Sequence, residues 1–530
     1  MLHFIPGWYA DGQWQEQEQY WHARRMHTEF DDTVKHVQLF HRNQICPFQM
    51  LLLSYAPNFR HFLHRQGVYH GKYWSCFDAI QKITRRKAAL FSFHNLKWPA
   101  GTEFIYSMFA VIAVVNGEKY AKIEFGEDGN PIEVQMYKKG QVIRKNIYDD
   151  RGFVSSTVVF RDGNPLYQDY LGEDGIWRTR RYVSDNRVEI NQRDPTYCLE
   201  GKEIPFKKTT YGSMEQLIEE VLTAYVSQMD KADIYCAAAH PLHLGLVQRV
   251  LSGKKLILSF FEERYPFHEI GIDDSLFQGV QQVISDSKGT MELLNRMSRS
   301  APPCTVIPPF DSRPDFGISQ QLNTQKILVP VDGLEEERFQ WLIKRLYVYL
   351  QENLNAQVHL FTRQADYGKD RQILDTVKNW ILDIQSQDGN SPADEEQNEE
   401  PAVQKIVRRF FADQCVDELT VSKCLREQRL IVDFRNVRDV YLRIIAISMG
   451  IPQILLYPSE FMVSGENGLL LRDPERVNGA IHYYLGELKN WNKAMVAAYE
   501  LGKQFDTKRQ VENWKGVIDS FEEHSNPAID

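Results

Sequence analysis

Tight-turn signals recur at hairpin spacing between residues 111 and 207. They are Asn116-Gly117, Glu127-Asp128-Gly129-Asn130, Lys139-Gly140, Asp150-Arg151-Gly152, Asp162-Gly163-Asn164 and Glu173-Asp174-Gly175, mostly ten to thirteen residues apart. Asn-Gly and Asp-Gly accept the positive backbone angles that short hairpin turns demand. The runs between them, such as Phe153–Phe160 (FVSSTVVF), are rich in Val, Ile, Tyr and Phe. Residues of these types fit a pleated, half-buried surface. The pattern predicts an antiparallel β-meander. A unit of aromatic, two acids and glycine appears in YDDRG and loosely in YLGEDG, but it is too irregular for a solenoid.

Both flanks follow a different rule, with short apolar runs separated by helical periodicity. Met1–Ile5 and Met50–Tyr55 read as buried strands around a helical Phe30–Leu39. Beyond the meander, Ser213 and Gln216 form a capping-box pair for a helix Met214–Gln228. Strands follow at Asp233–Ala239, Leu256–Phe261 and Val280–Asp286, with helices at Leu242–Leu251 and Gly289–Met297. The Pro-rich Cys304–Gly317 reads as a linker. A second unit has strands at Ile327–Val331, Val358–Phe361, Leu430–Asp433 and Pro452–Leu456, and a long helix Glu335–Leu350. Strands alternating with helices predict parallel sheets. The acidic, apolar-poor stretch 386–403 is expected to be a disordered loop.

The fold expected is α/β: two Rossmann-type domains, a β-meander inserted into the first, and a helical tail. The segments are 1–110 and 208–320 for the first domain and linker, 111–207 for the insert, 321–490 for the second domain and 491–530 for the tail. Trp491 and Trp514 are expected to anchor the tail.

Lys and Arg total 62 and Asp and Glu 71, a formal charge of −9, which excludes a broadly basic nucleic-acid binder. The seven cysteines, Cys46, Cys76, Cys198, Cys236, Cys304, Cys415 and Cys424, are scattered and contain no CxxC pair. Neither a disulfide framework nor a zinc site is expected. The opening MLHFIPGWYADG has no charged n-region, and Pro6 and Gly7 break its apolar run. It does not read as a signal peptide. The longest apolar stretch, Ile105–Val115, falls short of the ~20 residues needed to cross a bilayer. A cytoplasmic protein is expected.

Ligands of such sheets bind beyond the carboxyl ends of the strands. After Ile327–Val331 the chain reads Asp332-Gly333-Leu334-Glu335-Glu336-Glu337. One glycine and four carboxylates favour a helix start but repel a diphosphate. Further on, in Val440–Leu471 (VYLRIIAISMGIPQILLYPSEFMVSGENGLLL), a helix ends at Gly450, Pro452 opens a strand and Gly465-Glu466-Asn467-Gly468 forms a turn.

That stretch resembles the donor-sugar domain of retaining GT-B glycosyltransferases. In that family the helix carries one Glu five residues before its small-Gly-x-Pro ending and another eight residues earlier. Ile445 and Val437 stand at the matching positions. The family's diphosphate-binding cations would follow Gly333, where Leu334 and Glu335–Glu337 stand. Gly333, Leu334, Val437, Ile445 and Glu466 are thus the positions of a degenerate donor site, and the resemblance implies a fold without transferase activity or cofactor. ADIYCAAAHPLHLGLVQRVLSGKKLILSFFEERYP and QQVISDSKGTMELLNRM resemble the acceptor domain. YDDRGFVSSTVVFRDGNPLYQDYL is similar to the extended β domain of glycosyltransferases acting on serine-rich repeat adhesins.

Over nearly its whole length the chain resembles the first of the three accessory secretory proteins of the accessory Sec system. That family implies a non-catalytic adaptor with two sister accessory proteins, the adhesin polypeptide and a dedicated SecA motor as partners. The alternative is an active glycosyltransferase with an altered donor site.

Other groups have plainer expectations. His240 and His243 sit where an acceptor or a base belongs, but are expected to cap and pack against a helix. Ser285-Asp286-Ser287 lacks a nucleophile elbow and is expected to cap a helix. Glu262 and Glu263 are expected on a solvated loop. Arg85, Arg86, Lys87 and Lys97 interleave with Leu90, Phe91, Phe93, Leu96 and Trp98. They are candidates for contact with anionic lipid, as a peripheral protein would make, against the plainer alternative of an amphipathic rim. Arg178, Arg180 and Arg181 beside Trp177 form a second such patch. The strand edges of the insert are candidates for peptide or partner docking.

Overall fold

The computed structural model describes residues 1–10, 12–15, 30–262, 264–267, 274–298, 300–387, 402–437 and 439–523. Its first sheet has seven parallel strands. Their order is Cys304–Val306, Gln282–Ser285, Lys255–Phe260, Ile234–Ala238, Leu2–Ile5, Phe48–Leu52 and Tyr73–Ser75. In sequence order this is a doubly wound sheet, reversing between Leu2–Ile5 and Ile234–Ala238. Period-two alternation sends Leu2 and Phe4 to one face and Ile5 to the other. Leu217, Ile218, Val221 and Leu222 of the helix Met214–Val226 cover one face. Val34, Val37 and Phe40 of the helix Asp32–Asn43 cover the other.

Local chemistry sets the helix ends. The Asp31 carboxylate accepts the Thr33 N–H at 2.9 Å. Ser213 caps its helix, but Gln216 reaches back to the Gly212 N–H at 3.1 Å rather than to Ser213, so the box is only half made. The expected linker begins as a strand, Cys304–Val306.

The antiparallel sheet has ten strands, from Glu103–Tyr106 at one edge to Thr210–Tyr211 at the other. It thus starts eight residues before the expected 111 (103 against 111), because Ile105 pairs with Ile112 across a short turn. Asn116-Gly117, Lys139-Gly140 and Asp162-Gly163 turn with positive φ at both residues. Its junction with the first domain joins an apolar contact, Tyr170 against Tyr55 and Phe77, to an ionic one. Arg60 bonds Asp150 at 2.5 Å and Asp149 at 3.1 Å, while Arg151 bonds Asp149 at 2.6 Å and Asp78 at 2.8 Å. The YDDRG turn is therefore also the anchor of the insert.

The second parallel sheet has six strands. They are ordered Phe410–Gln414, Ala356–Thr362, Gln325–Pro330, Gln428–Asp433, Gln453–Leu455 and Gly468–Leu470. It reverses between Gln325–Pro330 and Gln428–Asp433. Most of the expected acidic loop 386–403 lies outside the described residues, and its two ends belong to the helices Lys369–Gln387 and Ala402–Val407.

The final helices join both domains. Trp491 donates to the Arg429 carbonyl at 2.7 Å in the second domain. Trp514, fully buried, packs edge-on against Phe4 and Phe40 of the first and donates to His36 Nδ1 at 3.2 Å. Among the described residues no helix is long and apolar enough to cross a membrane.

Candidate functional site

The second sheet opens a crevice where its strand order reverses. Val331-Asp332-Gly333 leaves one central strand, and Phe434-Arg435-Asn436-Val437 leaves the other. Gly333 adopts φ +78°, so the chain turns sharply and Leu334 donates to the Val331 carbonyl at 3.1 Å. A Cβ at Gly333 would lie 2.9 Å from Val437 Cγ2. Two of the positions singled out from sequence therefore meet in an apolar contact. Leu334 packs against the second domain's core instead. Ile445 lies further along the helix Val440–Met449 and lines an interdomain cavity of about 530 Å³ with Leu39, Phe310 and Tyr441. Glu466 is exposed on its turn. Glu335, Glu336 and Glu337 are exposed too.

The crevice is not short of cations. Arg435 makes paired hydrogen bonds to both Asp433 oxygens at 2.9 Å and reaches Asp439 at 3.2 Å. Arg443 bonds Asp433 at 2.7 Å and the Gln453 amide oxygen at 3.0 Å. Arg363 bonds Asp439 at 2.9 Å. Arg338 donates to the Tyr457 hydroxyl at 2.9 Å. Burial alone would raise the Asp439 carboxyl, but Arg363 and then Arg435 outweigh it and hold it at about 2. Asp433 is likewise held low against its burial by Arg435 and Arg443. The guanidinium groups of Arg363, Arg435 and Arg443 are bonded to buried carboxylates, an arrangement that charge-assisted bonds hold rigidly. Sequence reasoning missed them because Arg363 comes from another loop and because burial, which no local pattern shows, commits Arg435 and Arg443 to Asp433 and Asp439. The one local signal was the Asp-x-Arg spacing of Asp433 and Arg435.

In the first domain, the reversal point carries Tyr9, His240 and His243. The Tyr9 hydroxyl donates to His243 Nδ1 at 2.8 Å, and Nε2 donates to the Ala238 carbonyl at 2.6 Å. This pattern needs a neutral ring, and burial pushes the His243 pKa down to about 3. His240 accepts the Leu242 N–H at 3.1 Å and is pushed by burial to about 4. Beside them Arg264 bonds Asp31 at 3.0 Å and both oxygens of Asp32. Ser287 caps the helix Lys288–Met297. Glu262 is not on a solvated loop. Its carboxyl lies between the domains, where burial and then Asp439 raise its pKa well above the usual range, because an enclosed carboxylate loses its hydration. Glu263 lies outside the described residues.

A family model for the first accessory secretory protein of the accessory Sec system matches residues 1–520. The chain belongs to that family. A protein of the same description from Streptococcus gordonii is 31% identical over 529 residues, 97% of this chain and 98% of that protein. A chain in the crystal structure of accessory secretory protein 1, 2 and 3 in Streptococcus pneumoniae is 28% identical and superposes with TM-score 0.78 over 99% of both chains. The pneumococcal O-GlcNAc transferase GtfA, solved with UDP and GlcNAc, shares the fold at TM-score 0.67 and 14% identity, over 98% of this chain and 99% of that one. The architecture is therefore GT-B, and the accessory Sec system is the setting of this family member.

The candidate lipid-contact residues lie where the antiparallel sheet meets the first domain. Arg85, Arg86, Lys87 and Lys97 are exposed, and Arg85 pairs with Glu173 at 3.1 Å. Trp98 is half-buried, with its indole N–H on the Phe93 carbonyl at 2.8 Å and its ring edge-on to Phe104. In the second patch, Arg178 bonds Asp174 and Asp194, each at 2.7 Å, and Arg180 bonds Asp169 at 2.6 Å, so both are turned inward. Among the described residues no cluster of His, Cys, Asp and Glu is arranged to hold a metal ion.

Proposed function

We propose that this chain is a non-catalytic scaffold of the accessory Sec system. It binds two sister accessory proteins and the serine-rich repeat adhesin, and promotes passage of that cargo to the dedicated SecA motor. The observation that carries the reading is the second domain's crevice. Val437 approaches Gly333 so closely that a Cβ there would lie 2.9 Å from it, and Arg363, Arg435 and Arg443 are bonded to Asp433 and Asp439. Sugar transfer needs donors and cations aimed at charge developing on the leaving group. Cations whose hydrogen bonds are already committed to buried carboxylates offer less to an incoming diphosphate. The crystal structure of accessory secretory proteins 1, 2 and 3, which holds a similar chain, supports assembly with two partners.

The protein works on the cytoplasmic side, and Arg85, Arg86, Lys87, Lys97 and Trp98 are the residues we assign to peripheral contact with anionic membrane. A net charge of −9 disfavours nucleic acid as a partner. Titration calorimetry with UDP-N-acetylglucosamine and UDP-glucose tests the central claim. No heat up to millimolar ligand is expected. Micromolar binding, near −8 kcal/mol, would overturn the scaffold reading in favour of an active transferase.

A further inference from the structure

Two carboxylates cross the boundary between the parallel-sheet domains in opposite directions. Glu262 follows the strand Lys255–Phe260 of the first domain. Its Oε1 accepts the N–H of Val440, which opens the helix Val440–Met449 in the second, at 3.3 Å. Glu460 follows the strand Gln453–Leu455 of the second domain. Its Oε1 accepts the N–H of Lys288, which opens the helix Lys288–Met297 in the first, at 2.7 Å. Both N–H groups belong to first turns, where no intrahelical acceptor exists.

Neither helix needs the foreign carboxylate to form. Asp439 caps the first through the Leu442 N–H at 3.1 Å, and Ser287 caps the second through the Thr290 N–H at 3.2 Å. What Glu262 and Glu460 add is a tie across the boundary. Asp286 links the two. One of its oxygens accepts the Glu262 backbone N–H at 2.7 Å, and the other accepts the Thr290 hydroxyl at 2.6 Å in the first turn that Glu460 caps. Glu262 holds φ +42°, a left-handed conformation that costs a residue with a side chain. Asp439, Arg363 and Asp286 face its carboxyl, while Lys288, Asp286 and Glu292 face that of Glu460. Around these ties Lys35 pairs with Glu418, and Tyr441 packs edge-on against Phe30 and Phe310.

We propose that Glu262 and Glu460 form a reciprocal latch, coupled through Asp286, that holds the two domains closed over the crevice. Opening then releases both ties together, and each domain supplies half of the lock on the other.

Hydrogen exchange on the full-length chain tests this with Glu262→Ala and Glu460→Ala. The decisive amide in each variant is the one the substituted residue does not touch. Glu262→Ala is expected to speed exchange at Lys288 about tenfold, and Glu460→Ala to do the same at Val440. Solution scattering is expected to show a larger maximum dimension for both. The proposal is overturned if each substitution affects only the helix it caps and leaves the molecular dimensions unchanged. Unchanged exchange across the ten-stranded sheet certifies folding. If one variant fails that control, the other decides alone, because its readout lies in the opposite domain.

Discussion

In the first domain the crevice between Leu2–Ile5 and Ile234–Ala238 carries a neutral chain running from Tyr9 through His243 to the Ala238 carbonyl, with Arg264 paired to Asp31 and Asp32 beside it. In the second, the crevice between Gln325–Pro330 and Gln428–Asp433 is lined by Arg363, Arg435, Arg443, Asp433 and Asp439. Both sheets reverse at the same place in the same strand order. The GT-B framework therefore sets where a crevice lies, while a handful of loop residues decides its chemistry. One crevice sets a neutral hydrogen-bonded chain beside the ion cluster of Arg264, Asp31 and Asp32, whereas the other is held by compensated charge alone. The two arrangements respond differently to loss of a partner and to acid.

The largest contrast is expected from Arg435→Ala. Removing it strips Asp433 of its paired hydrogen bonds and Asp439 of one more, with Arg443 and Arg363 left as their remaining partners, a loss of about 3 kcal/mol. Denaturant unfolding measures this, and a cost below ~1 kcal/mol would mean the charges are well solvated and the contrast false. Acid should then separate the domains. The unfolded histidine titrates near 6.5, whereas burial holds His36 at about 4 and His243 at about 3. For these histidines the unfolded chain binds protons that the folded one refuses, so their contribution is full above pH 6.5 and falls as pH drops towards 4, while Asp31, raised to about 6 by burial and by Asp32, works in the opposite direction. His36 alone contributes about 3 kcal/mol to that fall. Asp433 and Asp439 are depressed, so their contribution is lost only as pH falls below the ordinary carboxylate range. Unfolding curves at stepped pH, read by exchange in each sheet, should show the first domain loosening first; the reverse order would contradict the leading part given to its buried neutral histidines. The smallest effect is that of Tyr9→Phe, which removes one neutral hydrogen bond to His243 and should cost about 1 kcal/mol. A cost equal to that of Arg435→Ala would erase the distinction between the crevices.

Much of the framework was legible along the chain. Turn chemistry, alternation and helix caps act over a few residues, so the hairpins at Asn116-Gly117 and Asp162-Gly163 and the Ser287 cap announce themselves. The strand Tyr73–Ser75 did not, because three residues carry no period. Cys304–Val306 was hidden by the prolines that follow it.

The candidate site divides the same way. The positions Gly333 and Val437 follow from the resemblance to retaining GT-B glycosyltransferases, and their meeting follows from the parallel sheet bringing the two loops side by side. The ion network does not follow. Arg363 and Asp439 stand 76 residues apart, and Glu262 and Val440 stand 178 apart. Burial turned Glu262 from an expected surface acid into an interdomain tie, and no local pattern distinguishes a solvated carboxylate from an enclosed one. Neighbours along the chain are enough to set the sheets, their turns and the absence of carboxylates at Val437 and Ile445. Which charges neutralise one another, and which domain caps which helix, emerge only once the chain has folded. Coulomb interactions in a crevice depend on distance and desolvation, and folding sets both.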